Sequence, residues 1–389
     1  MKTFRRTIFV IGATMGLLTA AVPALAKTFV YISNAEDGDI DGYAMDGESG
    51  LLTPLGKTKA GKLVMPMTLS PDKRHLYAVV RSKPTAVLTY GIDPASGKLD
   101  QQASAPLPDS MAYVSTDATG HFLFTASYGG NKIAVSPIEP NGRVEKDAIQ
   151  VIATGENAHS IRADLSNRFV YATNLGSSQI LQFKFDAATG KLTENAPSLV
   201  KTPAGNGPRH MAFSPDKKYL YVVNELSGNV AQFAIDPVRG TLSELAYTGS
   251  VPADSGLQPG LAREAMAGNA TSGANTKVVD DDKPRIWAAD LQITPNGKFL
   301  YATERTGSKI ALLHVAADSG RLSYVTGYST ETQPRGIRID PTGKFLVASG
   351  EKSDRISVYR INQSDGTLAL LGRYPVGQDA NWVEIVNFP

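Results

Sequence analysis

The chain has 389 residues, no cysteine, and 39 Lys and Arg against 37 Asp and Glu. Balanced charge excludes the clustered basic surface of a nucleic-acid-binding protein. The lack of cysteine excludes disulfides and a lipid anchor on an N-terminal Cys, so an exported form must be stabilised by its own core.

Lys2, Arg5 and Arg6 open the chain, an apolar run from Ile8 to Ala21 follows, and Ala24-Leu25-Ala26 supplies an A-x-A cleavage site. These three parts predict a secretory leader removed after Ala26, with export to the periplasm. The apolar run is short for a membrane span and no stop-transfer pattern follows it. The Arg5-Arg6 pair leaves the export route open. The leader takes three basic residues with it, leaving 36 against 37 acidic ones in a nearly neutral mature chain. No later apolar stretch is long enough to span a bilayer, so no membrane association is expected after cleavage.

From Lys27 onward a single unit recurs, and the repeat decides the fold. Phe213-Ser214-Pro215-Asp216 with Tyr219-Leu220-Tyr221-Val222-Val223 is one copy. The others centre on Leu76-Tyr77, Leu123-Phe124, Val170-Tyr171, Leu300-Tyr301 and Leu346-Val347, and the first is reduced to Phe29-Val30-Tyr31. Each copy continues into an alternating strand and a Gly-x-Leu turn such as Gly240-Thr241-Leu242. The steps between the anchors from Tyr31 to Val347 are 46, 47, 47, 50, 80 and 46 residues. Each period holds four short β-branched and aromatic runs between Pro-Asp and Gly turns. Four strands per period predict an all-β, seven-bladed β-propeller filling residues 27–389 as one domain. The first copy lacks its opening strand, and Trp382–Phe388 is a surplus strand at the end. The C-terminal run is therefore expected to be the innermost strand of the first blade, closing the ring without a free edge.

With strands named A to D from the channel outward, the A–B and C–D turns share one face and are explained by turn chemistry alone. The opposite face gathers the residues that enter A strands, His159, Arg209, His210, Asp290 and Arg335. It also gathers those that leave B strands, Tyr128, Asn174, Asn224, Glu225, Glu304, Arg305, Glu351 and Lys352. Asn174 and Asn224 read as turn caps. His210 before apolar Met211 fits either a structural or a functional part. Charges such as Arg209, Glu225 and Arg335 are costly near a channel unless paired or used. Convergent polar groups at a channel mouth form the candidate binding site. Residues 253–285, the surplus in the long step, join a D strand to the next A strand and so belong to the same face. They are expected as a loop beside or over the mouth.

Gly207-Pro208-Arg209-His210-Met211, Val223-Asn224-Glu225, Trp287-Ala288-Ala289-Asp290-Leu291, Glu331-Thr332-Gln333-Pro334-Arg335-Gly336 and Ala348-Ser349-Gly350-Glu351-Lys352-Ser353 carry a family resemblance. It continues through Arg373–Gln378 to Trp382. The chain resembles the propeller-type bacterial 6-phosphogluconolactonases, a family that also includes carboxymuconate-lactonizing enzymes. The resemblance implies a seven-bladed propeller that hydrolyses sugar lactones. It places the catalytic His, Arg and Glu on His159, Arg209 and Glu225, with Arg335 matching a further family Arg. His210, Asp290, Glu304 and Arg305 are the remaining candidates for substrate binding. Three features depart from the family: Gln292 stands where a His is common, 253–285 is longer, and the chain carries a leader.

Lactone hydrolysis needs a base for water, donors for the developing oxyanion and a proton for the departing alkoxide. Glu225 or His159 fits the base, and Arg209 with Arg335 fits the oxyanion. No nucleophile-elbow Ser is present. No fixed-spacing metal motif appears, although Glu225, Asp290 and Glu304 could share the channel, so no metal or cofactor is expected. A monomer acting on a sugar lactone is the expectation. Its leader favours an unphosphorylated aldonolactone such as glucono-1,5-lactone over 6-phosphogluconolactone. The rival reading is an exported, non-enzymatic propeller that binds a partner on the same face.

Overall fold

The computed structural model describes residues 1–4, 27–262 and 283–388, so most of the expected leader and of the 253–285 segment lie outside the described residues. Every repeat folds into a four-stranded antiparallel sheet, and there are seven. Blade five shows the pattern, with strands Pro208–Phe213, Tyr219–Asn224, Asn229–Ile235 and Leu242–Gly249 in order from the channel outward. The inner strands of successive blades touch in a closed cycle around the axis.

Burial explains why the strands differ in sequence. The second strand of each blade lies between two neighbouring sheets and is apolar on both faces, as in Phe299–Glu304, where all six residues are buried. The outer strand faces water, as in Leu322–Ser329, where only the first residue is buried. The core is therefore laid between blades. Tyr221, Val223 and Val230 of blade five pack with Leu291, Leu300 and Leu313 of blade six in one cluster.

A polar latch accompanies five of the apolar contacts. The hydroxyl of Tyr221, in the second strand of blade five, donates to the carbonyl of Gly320 in the outer turn of blade six at 2.7 Å. Tyr31, Tyr77, Tyr171 and Tyr301 make the same bond to Gly97, Gly142, Gly240 and Gly366 of their own next blades. Burial raises the pKa of each of these phenols, so they remain donors at any physiological pH. The glycine is required twice over. Gly240 has φ of 67°, and a methyl group there would collide with the ring of Phe169 in the preceding blade.

Closure follows the expected exchange. Ala380–Phe388 is the inner strand of blade one and pairs antiparallel with Lys27–Asn34, from Lys27 opposite Phe388 to Ser33 opposite Trp382. The two ends of the chain thereby complete one sheet. On the A–B and C–D face the turn aspartates act as caps. Asp236 accepts from the backbone N–H of Val238 at 2.8 Å and Arg239 at 2.9 Å.

Removing residues 380–389 should leave blade one with an exposed inner edge, giving insoluble protein or a large fall in Tm; a truncated chain as stable as the full one would refute strand exchange as the closure. Tyr221→Phe should cost about 1–3 kcal/mol in urea denaturation, because it orphans the buried Gly320 carbonyl. An unchanged midpoint would show that packing alone holds the blades.

Candidate active site

Two local features of the fold build the mouth. The first is a β-bulge where inner strands begin. Pairing slips at Arg209 and His210 in blade five, at Ala289 and Asp290 in blade six, at Arg335 in blade seven and at His159 in blade four. It slips in the same place at Asn381 in blade one and at Met65 and Pro66 in blade two. A bulge re-aims side chains that would otherwise alternate across a sheet. The second feature is the residue just after each second strand, where Arg81, Tyr128, Glu225, Arg305 and Glu351 follow Val80, Ser127, Asn224, Glu304 and Gly350.

These positions bring a buried charge network together. Glu225 Oε2 accepts from Arg209 Nε at 2.7 Å and from Arg305 Nη2 at 2.9 Å, while its Oε1 accepts from the Trp287 indole at 3.2 Å. Arg209, Glu225 and Arg305 are each at most 4% exposed. The Arg305 guanidinium lies 3.6 Å from the centre of the Trp287 ring. Burial, then the positive charge of Arg305, pushes the Arg209 pKa down to about 9 despite the Glu225 carboxylate. Arg335 reaches Glu351 through Nε at 3.3 Å and Asn381 Oδ1 through Nη1 at 3.4 Å.

The two candidate histidines differ. Arg209 Nη1 lies 3.1 Å from His210 Nε2, and an arginine nitrogen can only donate. His210 Nε2 is therefore the acceptor, and its Nδ1–H donates to Asp290 Oδ1 at 2.9 Å. Burial and the adjacent guanidiniums hold the His210 pKa well below 6.5, so this contact is a hydrogen bond from a neutral imidazole rather than an ion pair. Asp290 is spent on the scaffold too: its Oδ2 accepts from the Ile337 N–H of blade seven at 3.1 Å, and burial raises its pKa. His159 is also held neutral, by burial and then by Arg209. It is 4% exposed, its ring lies 5.2 Å from that of His210 and 5.7 Å from that of Tyr128, and its Nδ1 has no hydrogen-bond partner.

Below this level Tyr113, His210 and Trp382 meet edge to face, with centroids 5.1, 5.6 and 5.5 Å apart around the triangle. They cross the axis as a plug. On the far side Tyr113 and Trp382 form part of a separate cavity of about 270 Å³ that opens among the A–B turns.

The structure thus gathers Arg209, His210, Glu225, Asp290 and Arg305 into one network, with His159 and Arg335 beside it. Glu304 stands apart from them. Its carboxylate accepts the backbone N–H groups of Trp287, Thr306 and Gly307 and caps its own turn. Asn174 likewise donates to Gly155 O and Thr154 Oγ1 near its turn, and Asn224 donates to Asn229 Oδ1. Two members escaped the sequence reading. Trp287 holds both Glu225 and Arg305, and Arg81 occupies the same register as Glu225; neither residue stands out in the sequence by itself. The stem of the long insertion reaches this face: Gly260 N–H donates to Leu226 O at 2.7 Å, and Gln258 and Arg285 form a parallel bridge.

Among described residues no group of three or more His, Asp or Glu is placed to hold a metal ion.

The family model "Lactonase, 7-bladed beta-propeller" matches residues 29–385. A protein named 6-phosphogluconolactonase from Pectobacterium carotovorum subsp. carotovorum is 39% identical over 357 residues, covering 92% of this chain and 98% of the relative. One of the same name from Serratia proteamaculans is 39% identical over 360 residues, covering 92% and 99%. A solved structure described as a periplasmic gluconolactonase from Pseudomonas aeruginosa superposes with a TM-score of 0.78 at 25% identity, covering 94% of this chain and all of that one.

Glu225→Ala would leave two buried guanidiniums facing each other. The expected loss is about 3–5 kcal/mol of stability, as for breaking a buried ion pair from one side. Denaturation curves that overlay those of the wild type would mean the carboxylate is not holding the mouth together.

Proposed function

Since the chain belongs to the seven-bladed β-propeller lactonase family, and so to the lactone-hydrolysing enzymes, we propose that His159, Arg209 and Arg335 open a sugar lactone at the channel mouth. The observation that carries this reading is a buried, neutral imidazole, His159, with an unengaged Nδ1 beside two arginines. A neutral imidazole takes a proton from water as that water attacks the lactone carbonyl carbon. The carbonyl π electrons move to oxygen, and a guanidinium receives the oxyanion. Arg209 suits this part: Nε and Nη1 are committed to Glu225, His210 and the Ala289 carbonyl, which fixes the plane of the fork, and Nη2 has no partner among described residues. As the tetrahedral intermediate collapses, the ring C–O bond breaks and the imidazolium returns its proton to the departing alkoxide. The products are the ring-opened hydroxy acid and the regenerated histidine, with one water consumed.

Of the two residues that fit the base, this reading assigns His159. Both carboxylate oxygens of Glu225 are already engaged, accepting hydrogen bonds from two guanidiniums and an indole. Its part is to fix Arg209. His210, with both nitrogens engaged, holds Arg209 from the other side through the Asp290 hydrogen bond.

We place this activity in the periplasm and on an unphosphorylated aldonolactone such as glucono-1,5-lactone. The leader, Lys2 through Ala26, supports export, and the Pseudomonas protein bears a periplasmic description. A phosphorylated sugar lactone is a cytosolic metabolite, scarce where an exported enzyme works. The name shared by the relatives at 39% identity supports the phosphorylated lactone instead.

The test is a pH-stat assay on a panel of aldonolactones with and without phosphate. His159→Gln should lower kcat by a factor of about 10²–10⁴, the usual scale of general-base loss. In the wild type kcat/KM should stay level as pH falls through 6.5, because the imidazole remains neutral there, and decline only at lower pH. A near-wild-type His159→Gln rate would remove His159 from the mechanism, and an acid limb centred on 6.5 would contradict its suppressed pKa.

A further inference from the structure

The arginines at the mouth are unequally neutralised. Arg209 and Arg305 share Glu225, and Arg335 has Glu351. Arg81, the fourth, forms no salt bridge among described residues. Its Nε donates to Ser110 Oγ at 3.1 Å, and its Nη1 lies 3.4 Å from Met65 Sδ, a weak acceptor. The charge of Asp109 acts on it, but that carboxylate pairs with Lys132 at 3.1 Å. Arg81 is only partly exposed.

Position explains the exposure of this charge. Arg81 leaves the second strand of blade two in the register of Glu225 in blade five and Glu351 in blade seven, so it points to the mouth as they do. Where those blades place a carboxylate, this one places a second cation, and Arg335 is the charge that acts on it most strongly. Burial, then the Arg335 charge, pushes the Arg81 pKa down to about 10, which still leaves it charged at neutral pH. Arg335 has Glu351 but Arg81 has no carboxylate of its own, so the pair carries excess positive charge that an entering oxyanion would neutralise.

We propose that Arg81 and Arg335, across blades two and seven, form an oxyanion subsite that binds an ionised group of the ligand. Its identity rests on the lactonase reading: either the carboxylate that appears when the ring opens or a phosphate carried by the lactone. Both present the planar pair of oxygens that an arginine fork engages. Ser110 and Asn381, bonded to Arg81 and Arg335, hold the two forks in place.

The subsite is tested without turnover, so that its failure is separate from failure of the lactonase reading. Inorganic phosphate is titrated calorimetrically into the full mature protein, into Arg81→Gln, into Arg81→Lys and into Arg162→Gln. Arg162 lines the cavity on the far side of the aromatic plug and serves as the control. Saturable binding is expected, at least tenfold weaker in Arg81→Gln, partly restored in Arg81→Lys and within twofold of wild type in Arg162→Gln. Absence of saturable binding, equal affinity in Arg81→Gln, or loss on Arg162→Gln alone would overturn the proposal.

Kinetics then separate the two sources of the anion. A tenfold or greater drop in Arg81→Gln of the kcat/KM ratio for 6-phosphogluconolactone over glucono-1,5-lactone assigns the subsite to a substrate phosphate. A steady ratio with a tenfold higher inhibition constant for gluconate assigns it to the product carboxylate. If neither quantity moves, the subsite has no part in catalysis and the proposal falls.

Discussion

The contact on which the ring depends is the one between an aromatic second strand and the outer-turn glycine of the next blade. It repeats with small changes: Phe29, His75, Phe122, Phe169, Tyr219, Phe299 and Phe345 each occupy the space that a side chain on the next glycine would need. In five of these contacts a tyrosine hydroxyl adds a bond to the glycine carbonyl. The contact is short range, directional and far from the axis. It ties each blade to the next through the second strand and the outer turn, away from the inner strands. The inner strands are then left free to carry irregularity without disturbing the ring.

That freedom is used at the mouth. Six inner strands bulge on entry, and the bulged residues include His159, Arg209, His210, Asp290 and Arg335. In a regular strand, adjacent residues such as Arg209 and His210 would point to opposite faces. The bulge lets both act at one level, with Arg209 Nη1 bonded to His210 Nε2. Glu225 binds the charges around it, its one carboxylate saturated by two guanidiniums and an indole. The consequence is rigidity: no member of that network can turn away without leaving a buried charge unpaired. A rigid arginine is what oxyanion stabilisation requires, because reorganisation during reaction would cancel the gain.

The plug of Tyr113, His210 and Trp382 gives the channel two ends with different surroundings. Above it lie neutral histidines among arginines. Below it lie Arg162 and the Arg338–Glu384 pair, which accepts the Trp382 indole N–H at 3.1 Å. His210 belongs to both systems, as a plug ring and as an acceptor for Arg209. The same residue therefore closes the channel and positions the mouth.

The architecture was legible in the sequence because each of its causes is local or periodic. Continuous apolar runs such as Tyr219–Val223 belong to strands covered on both faces, Ser-Pro-Asp and Gly-x-Leu mark the turns, and a missing first strand matched by Ala380–Phe388 announces the closure. Part of the set of side chains at the mouth was also legible, since strand register assigns entering and leaving residues to one face, but Glu304 turned away to cap its own turn. What the tertiary structure decided is how those side chains divide the work. Glu225 and Glu304 sit in adjacent blades and are both glutamates at the end of a second strand, yet one clamps Arg209 and Arg305 while the other caps its own turn. The difference is one residue of register, which turns a side chain from the mouth to the loop. His159 and His210 read alike as histidines entering inner strands, and only the direction of the Arg209 donor shows that His210 is fully engaged and His159 is not. Sequence sets which residues arrive at a face; bonds such as Arg305–Glu225 and His210–Asp290 join blades through residues 80 apart in the chain, and no local pattern encodes those partners.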